Sequence, residues 1–222
     1  MEVGKWCNST SSDSHSQSTS LALRAVVQGI RMKFPSVKNV TTTTLQGWIE
    51  NGPATTVPPG LPADHADTDK QDSKLIIIDA RPELEFAVSH IAKSINVNFE
   101  TDDMDSVKKL MVKEANCKKT FHGRPCLTTS SGESPEMVAA KVVLYCSVGY
   151  RSSILTEKLE KAIRPDQAYK YWQFFNLEGS LFKWVNENRP LVDQQGQRTN
   201  YIHPYSGTWG RFVDRERWKY RP

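Results

Sequence analysis

A short apolar run, LIIID at residues 75–79, is the feature that most restricts the fold of this chain. Four successive apolar residues predict a strand that is buried on both faces, as in a parallel sheet. A second run, KVVLY at 141–145, is rich in β-branched residues and also predicts a strand. Segments with apolar residues at helical spacing, such as 104–115 and 152–163, separate the strands. This alternation predicts an α/β domain with a mostly parallel sheet.

The ends of the chain differ in composition from its middle. Residues 1–19 are dominated by Ser, Thr and other polar residues and are predicted to form a disordered tail. We expect a domain over 20–192, which starts with an amphipathic helix at 21–34, and a C-terminal extension over 193–222 that packs on it. Two polar segments, at about 53–73 and 116–136, are predicted to be surface insertions.

Composition restricts location and partners. The chain has 222 residues and a net charge of +4, which is too small to predict a nucleic-acid partner by itself. No apolar run approaches the roughly 18 residues that span a bilayer, so we expect no membrane association. The N-terminus lacks the hydrophobic region of a secretory signal. We therefore expect a cytoplasmic location, with a mitochondrial one still open.

The segment CSVGYR, from Cys146 to Arg151, directly follows the second strand and precedes a helix. A strand–turn–helix of this kind gathers main-chain N–H groups and a helix N-terminus, which together stabilise an anion. A thiol there is favoured as thiolate, the form that acts as nucleophile. Because ligands bind beyond the carboxyl ends of parallel strands, Cys146 and Asp79 are expected to share one site.

Each residue of the loop has a predicted part. Gly149 is expected to adopt a positive φ, and Arg151 to offer a planar fork to sulfonate or carboxylate oxygens. Either Asp79 or Glu85 is expected to hold Arg151 in place; Arg81 is a further supporting candidate. Cys146 is the candidate catalytic residue, and the candidate substrate-binding residues are Ser147, Val148, Gly149, Tyr150 (at the pocket rim), Arg151 and Ser152.

Three separated motifs resemble the single-domain rhodanese family of sulfurtransferases, over about residues 38–192. The motif residues are Asp79, Arg81, Glu85, Phe86, His90, Ile91, Ser94 and Asn96; then Cys146, Gly149 and Arg151; then Asn176, Leu177, Glu178, Gly179 and Trp184. Two positions depart from the pattern: Ser180 stands where the family often has glycine, and Ala92-Lys93 replaces a usual Pro-Gly pair.

The resemblance implies a five-stranded, mostly parallel sheet flanked by helices, and it implies a reaction. Cys146 would attack the outer sulfur of a donor such as thiosulfate, hold that sulfur as a persulfide, and pass it to a thiol or cyanide acceptor. A small sulfur-containing anion and a thiol, either a small molecule or a protein, are the implied partners. No cofactor is implied, and His90 is expected to be structural.

Two alternative functions stay open. The spacing C-x4-R differs from the C-x5-R of cysteine phosphatases, whose wider loop admits a tetrahedral phosphate, so a phosphatase or arsenate reductase is disfavoured. A noncatalytic rhodanese-like module that binds a partner protein is the other alternative. A nucleophile in an anion cradle argues against it, because a binding module has no need of one.

Other candidate groups lie outside these motifs. Cys117, His122 and Cys126 are possible zinc ligands, but they lack a clear fourth ligand, so no metal site is predicted. Either Cys117 or Cys126 could instead accept sulfur from Cys146 as a second thiol. The C-terminal extension interleaves aromatic and basic residues, and we expect it to pack on the domain surface with its charges outward.

Overall fold

The computed structural model describes residues 10–53, 73–116 and 139–222. The helices are α1 (Thr10–Lys33), α2 (Thr42–Asn51), α3 (Glu83–Val88), α4 (Met104–Asn116), α5 (Tyr150–Ile163), α6 (Ser180–Asn186) and α7 (Gly207–Gly210). The strands are β1 (Asn39–Val40), β2 (Lys74–Asp79), β3 (Ile95–Asn96), β4 (Ala140–Tyr145), β5 (Trp172–Leu177), β6 (Leu191–Val192) and β7 (Arg198–Thr199). Two single 3₁₀ turns lie at Gln167–Tyr169 and Arg215–Arg217.

Five strands form the central sheet in the order β1-β5-β4-β2-β3, and all of its pairs are parallel. The register places Asp79 opposite Tyr145, the residue before Cys146. The ends of β2 and β4 therefore meet at one edge of the sheet, as the sequence predicts. The predicted α/β architecture, with a five-stranded, mostly parallel sheet flanked by helices, is confirmed.

Side chains of the central strands alternate between two apolar layers, because successive residues of a strand point to opposite faces. Ile77 and Tyr145 belong to a cluster with residues of α1, α2 and α6. Ile76 and Leu144 belong to a second cluster, with residues of α4 and α5. Burial on both faces explains why LIIID and KVVLY are almost continuously apolar.

The first helix differs from its prediction over 21–34. Helix α1 begins at Thr10, so residues 10–19 of the predicted disordered tail are helical, whereas residues 1–9 lie outside the described residues. Its C-terminal half supplies Leu23, Ile30 and other residues to the first apolar layer. The first residues of the helix are polar, and the spacing of apolar residues therefore does not reveal that they are helical.

Helix α2 is capped at both ends. Gly52 ends it with a φ of 77°. The N-cap is Thr41, whose hydroxyl accepts a hydrogen bond from the Thr44 N–H at 3.1 Å, and not one of the next three threonines. Four successive threonines give no sequence signal for the choice, which is set by where the chain leaves β1.

The C-terminal segment packs against the same apolar layer as α6. Ile202, Phe212 and Val213 are buried there. Strands β6 and β7 form an antiparallel pair, and His90 exchanges main-chain hydrogen bonds with Val192 at 2.8 and 3.0 Å. The segment from 191 onward is thus joined to the sheet domain by both apolar and main-chain contacts.

The two predicted insertions fall almost entirely on residues 54–72 and 117–138, which lie outside the described residues. The predictions for Cys117, His122 and Cys126 fall there too. Within the described parts of the chain, no helix is both long enough and apolar enough to cross a membrane.

Candidate active site

Cys146 lies at the carboxyl end of β4, where the chain turns into α5. Its side chain is buried, with 1% of the residue exposed. The Gly149 N–H donates a hydrogen bond to Cys146 Sγ at 3.1 Å. The loop is fixed to α6 from outside, since Leu181 and Phe182 N–H groups donate to the carbonyls of Cys146 and Ser147. The sulfur is therefore held by a rigid turn.

The environment favours the thiolate form of Cys146. Burial raises the pKa of the Cys146 thiol, but the Arg151 charge and hydrogen bonds from Ser152 and Gly149 outweigh it and lower the pKa overall. This is the combination of partial charge and fixed donors that activates cysteines in proteins. The sequence argument for an anion-stabilising turn thus has a structural counterpart, provided by Gly149 and Ser152 among the loop donors.

Glu85, not Asp79, is the carboxylate that holds Arg151. The two side chains form a bidentate pair, with Nη1–Oε1 at 2.7 Å and Nη2–Oε2 at 2.9 Å, and both are buried. The Ser147 hydroxyl accepts from Arg151 Nη2 at 2.9 Å. Despite burial, Arg151 lowers the pKa of Glu85. Both terminal nitrogens of the guanidinium therefore bind groups of the protein.

Asp79 pairs with Arg81 instead. Both side chains are fully buried, and Asp79 accepts from Arg81 Nε and Nη2 as well as from the Arg81 main-chain N–H. Arg81 Nη2 also donates to the Ser89 carbonyl at 2.6 Å. These contacts join the end of β2 to the segment after α3. The Asp79–Arg81 pair thus fixes the chain on both sides of α3, the helix that carries Glu85.

Gly149 has a φ of 113°, as predicted, and the neighbouring strand also leaves little room for a side chain there. A Cβ at this position would lie 3.2 Å from Asn176 Nδ2. Asn176 in turn accepts a hydrogen bond from the Ser152 hydroxyl at 2.6 Å and donates to Asn39 Oδ1 at 3.1 Å. Strand β5 therefore sets the position of Ser152, the residue that also donates to Cys146.

The other two predicted substrate-binding residues, Val148 and Tyr150, contact groups outside the loop. Val148 is buried in the apolar layer that contains Phe182. Tyr150 is 38% exposed and packs against α1, where Lys33 Nζ donates to its hydroxyl at 2.7 Å and the Phe34 ring stands edge-on at 5.4 Å. Tyr150 lies at the surface beside the loop, and its ring is held by α1.

Ser180 is a site residue whose role the sequence does not reveal. It is completely buried and has a φ of 53°, a conformation that favours glycine. Its hydroxyl accepts the Cys146 N–H at 3.1 Å and donates to the Leu177 carbonyl at 3.2 Å. The departure from the family glycine is the only sequence signal at this position. The hydroxyl gives the N–H of the candidate nucleophile a partner inside the protein.

Two substitutions of Ser180 distinguish how much its hydrogen bond and its backbone conformation each contribute to the free energy of unfolding. Ser180→Ala removes the acceptor and keeps the strained φ, so we expect a loss of about 1–2 kcal/mol in the free energy of unfolding. Ser180→Gly also removes the acceptor but relieves about 1 kcal/mol of strain, so its stability should stay close to that of the original chain. Urea unfolding of both variants measures the difference. Equal stabilities would show that the positive φ is not strained.

The C-terminal segment brings further residues to this edge of the sheet. The Tyr205 ring centroid lies 4.6 Å from Arg151 Cζ. The ring of Phe99, a residue that follows β3, also lies near Arg151, with its centroid 6.0 Å from Cζ. His203 is half-buried and interacts electrostatically with Glu85. No periodic or motif signal marks these three residues. His90 lies apart from them, stacked on Phe86 at 3.8 Å.

The described residues contain no group of three or more His, Cys, Asp or Glu side chains that could hold a metal ion. The site consists of a thiol, a buried ion pair and main-chain donors.

A family model for the rhodanese-like domain matches residues 63–187. Similar solved structures include Ygr203w, described as a yeast protein tyrosine phosphatase of the rhodanese family (16% identity, 75% of this chain and 94% of that chain, TM-score 0.46). Others are a thiosulfate sulfurtransferase from Pseudomonas aeruginosa (14%, 85% and 26%, TM-score 0.43) and a rhodanese-like domain from Anabaena (16%, 72% and 83%, TM-score 0.42). The comparison with curated proteins gave no match. The family model covers more than half of the chain, and the chain therefore belongs to the rhodanese-like domain family.

Proposed function

We propose that this protein is a sulfurtransferase in which Cys146 carries the transferred sulfur. The Cys146 thiolate attacks the outer sulfur of a donor such as thiosulfate. The donor S–S bond breaks, and sulfite leaves with the bonding electron pair, so that Cys146 holds a persulfide. An acceptor thiolate or cyanide then attacks the terminal sulfur of the persulfide, and the Cys146 thiolate is regenerated.

The observation that carries this proposal is the place of the buried Cys146 thiol at the end of β4, where the Gly149 N–H donates to its sulfur at 3.1 Å and the surroundings lower its pKa. Thiolate is the attacking form in the first step and the leaving group in the second, so stabilising it assists both. Gly149 and Ser152 supply hydrogen bonds, and Arg151 supplies charge. The same donors would stabilise the negative charge of the persulfide.

The Arg151–Glu85 pair weighs against a phosphatase or arsenate reductase. A phosphate or arsenate dianion requires positive charge and a free guanidinium fork. Here Arg151 binds Glu85 through both terminal nitrogens, and the carboxylate offsets part of the Arg151 charge. The six-residue loop from Cys146 to Arg151 is also one residue shorter than the C-x5-R loop. A sulfur atom needs less space and less compensating charge than a tetrahedral dianion.

Intact-mass analysis after thiosulfate treatment tests the proposal. We expect the full chain to gain the mass of one sulfur and the Cys146→Ser variant to gain none. Cys7, Cys117 and Cys126 remain in the variant and serve as internal controls for nonspecific reaction. Release of thiocyanate when cyanide is added should restore the original mass, because the second step regenerates the thiolate.

Two other results would contradict the proposal. No sulfur adduct with thiosulfate or other sulfane donors would favour a noncatalytic module that binds a partner protein. Hydrolysis of an aryl phosphate that depends on Cys146 would favour a phosphatase.

A further inference from the structure

The C-terminal segment around Tyr205 covers the side of the candidate site that is formed by Arg151. The Tyr205 ring centroid lies 4.6 Å from Arg151 Cζ, within the range of a cation–π interaction. Arg151 is only 9% exposed, whereas Tyr205 is 49% exposed. The ring therefore stands between the ion pair and solvent, on residues that lie outside the family match at 63–187.

The segment that carries Tyr205 is fixed from both sides. Ile202 is completely buried and exchanges main-chain hydrogen bonds with Arg217 and Lys219, at 2.7 and 3.0 Å. Pro204 is also buried. His203 and Tyr205, on either side of Pro204, are the residues that reach the site.

Tyr205 adopts an unusual backbone conformation, with a φ of 63°. Its N–H donates to His203 Nδ1 at 3.0 Å. Because Nδ1 accepts this bond, His203 carries its proton on Nε2 in the neutral form. A bulky residue persists at positive φ only where its surroundings enforce it, and such positions are common at functional sites. His203 and the two buried neighbours are the enforcing contacts here.

We propose that Tyr205 is a specificity-determining residue of the sulfur site. Its ring packs against Arg151 and limits access to Cys146. Donors with a compact head group, such as thiosulfate, reach the sulfur, whereas donors with a bulky group next to the transferred sulfur are excluded. Cys146 is 1% exposed, so a reagent reaches its sulfur only where the surrounding side chains leave room for it. This inference rests on the proposed function for its substrates, but the limit on access can be tested without sulfur transfer.

Alkylation of Cys146 by two reagents of different size provides that test. The rates with iodoacetamide and with an N-naphthyl iodoacetamide are measured from the mass of the Cys146 peptide, and their ratio reports the room around the sulfur. We expect Tyr205→Ala to raise the bulky-to-small ratio by about tenfold, the scale of steric discrimination in a pocket. Tyr205→Phe, which retains the ring, should keep the ratio, and Tyr205→Trp should lower it.

Tyr201→Ala is the matched control. Tyr201 is also 49% exposed and lies in the same segment, but its ring contacts Lys219, with Nζ 5.7 Å from the ring centroid. The inference is overturned if Tyr205→Ala and Tyr201→Ala change the ratio equally, if Tyr205→Phe changes it as much as Tyr205→Ala, or if Tyr205→Trp raises it. If the alanine variant does not fold, the alkylation ratio of Tyr205→Trp alone tests the inference.

Sulfur transfer gives the second readout. The ratio of kcat/KM for benzenethiosulfonate to that for thiosulfate should rise with Tyr205→Ala in parallel with the alkylation ratio. Failure of the original chain to accept sulfur from either donor would refute the proposed function, whereas the alkylation ratio would still decide whether Tyr205 limits access to Cys146.

Discussion

Asp79→Asn is expected to lower the free energy of unfolding by about 3–5 kcal/mol, the cost of breaking a buried ion pair by removing one partner. Asp79 and Arg81 are both fully buried, and each oxygen of the carboxylate accepts from the guanidinium. An asparagine amide group would place an N–H donor against one of these donors in either orientation. The buried charge of Arg81 would then have no anion to balance it. Urea unfolding measures the loss.

Two control variants test whether burial causes this effect. Asp102 pairs with Lys158 at 2.9 Å, but its side chain is 92% exposed, so Asp102→Asn should cost less than about 1 kcal/mol. The double variant Asp79→Leu/Arg81→Met should be more stable than Asp79→Asn, because it leaves no charge buried without a partner. A loss below about 1 kcal/mol in Asp79→Asn would show that water reaches the pair.

The contrast between Asp79 and Glu85 shows where sequence reasoning ends. The strands, their parallel arrangement and the meeting of their ends follow from apolar runs and from the residues that resemble the rhodanese family. The carboxylate that pairs with Arg151 does not follow, because Asp79 at the end of β2 and Glu85 in α3 lie close together in the sequence. The choice depends on α3, which places Glu85 within 2.7 Å of Arg151 while Arg81 folds back onto Asp79.

The long-range contacts of the C-terminal segment with the site could not be predicted from the sequence either. His203 and Tyr205 are separated from Arg151 by about a quarter of the chain, and neither belongs to a periodic element. Their position follows from burial of Ile202 and Pro204, which in turn depends on the packing of Phe212 and Val213 against the sheet domain. Patterning predicts that an apolar residue is buried, but it does not specify the residues that its neighbours will contact.

Arg151→Gln and Glu85→Gln are expected to change the pKa of the Cys146 thiol in opposite directions. Burial raises this pKa, and Arg151 is the strongest influence that lowers it. Without the Arg151 charge the pKa should rise, and iodoacetamide alkylation at pH 7 should slow by about tenfold. Glu85→Gln removes the anion that balances Arg151, so the pKa should fall further. The alkylation rate measured against pH gives both values.

Arg189→Gln is the control for loss of a single positive charge. Arg189 is paired with Glu187 at 2.7 Å outside the candidate site, so its removal should leave the thiol pKa unchanged. Shifts in the same direction for the two site variants would contradict the assigned electrostatics. An unchanged pKa in Arg151→Gln would mean that the hydrogen bonds from Gly149 and Ser152 hold the thiolate without the charge.

The balance between Arg151 and Glu85 also matters for the rate of sulfur transfer. Nucleophilicity decreases as thiol pKa decreases, so the best attacking thiol has a pKa near the working pH. Arg151 alone would favour the thiolate strongly and make it a weaker nucleophile. Glu85 offsets part of that charge, and we therefore expect Glu85→Gln to increase the thiolate fraction at pH 7 without a proportional gain in persulfide formation. Arg151→Gln should slow persulfide formation at pH 7, and the loss should decrease as the pH is raised, because the remaining thiol then ionises.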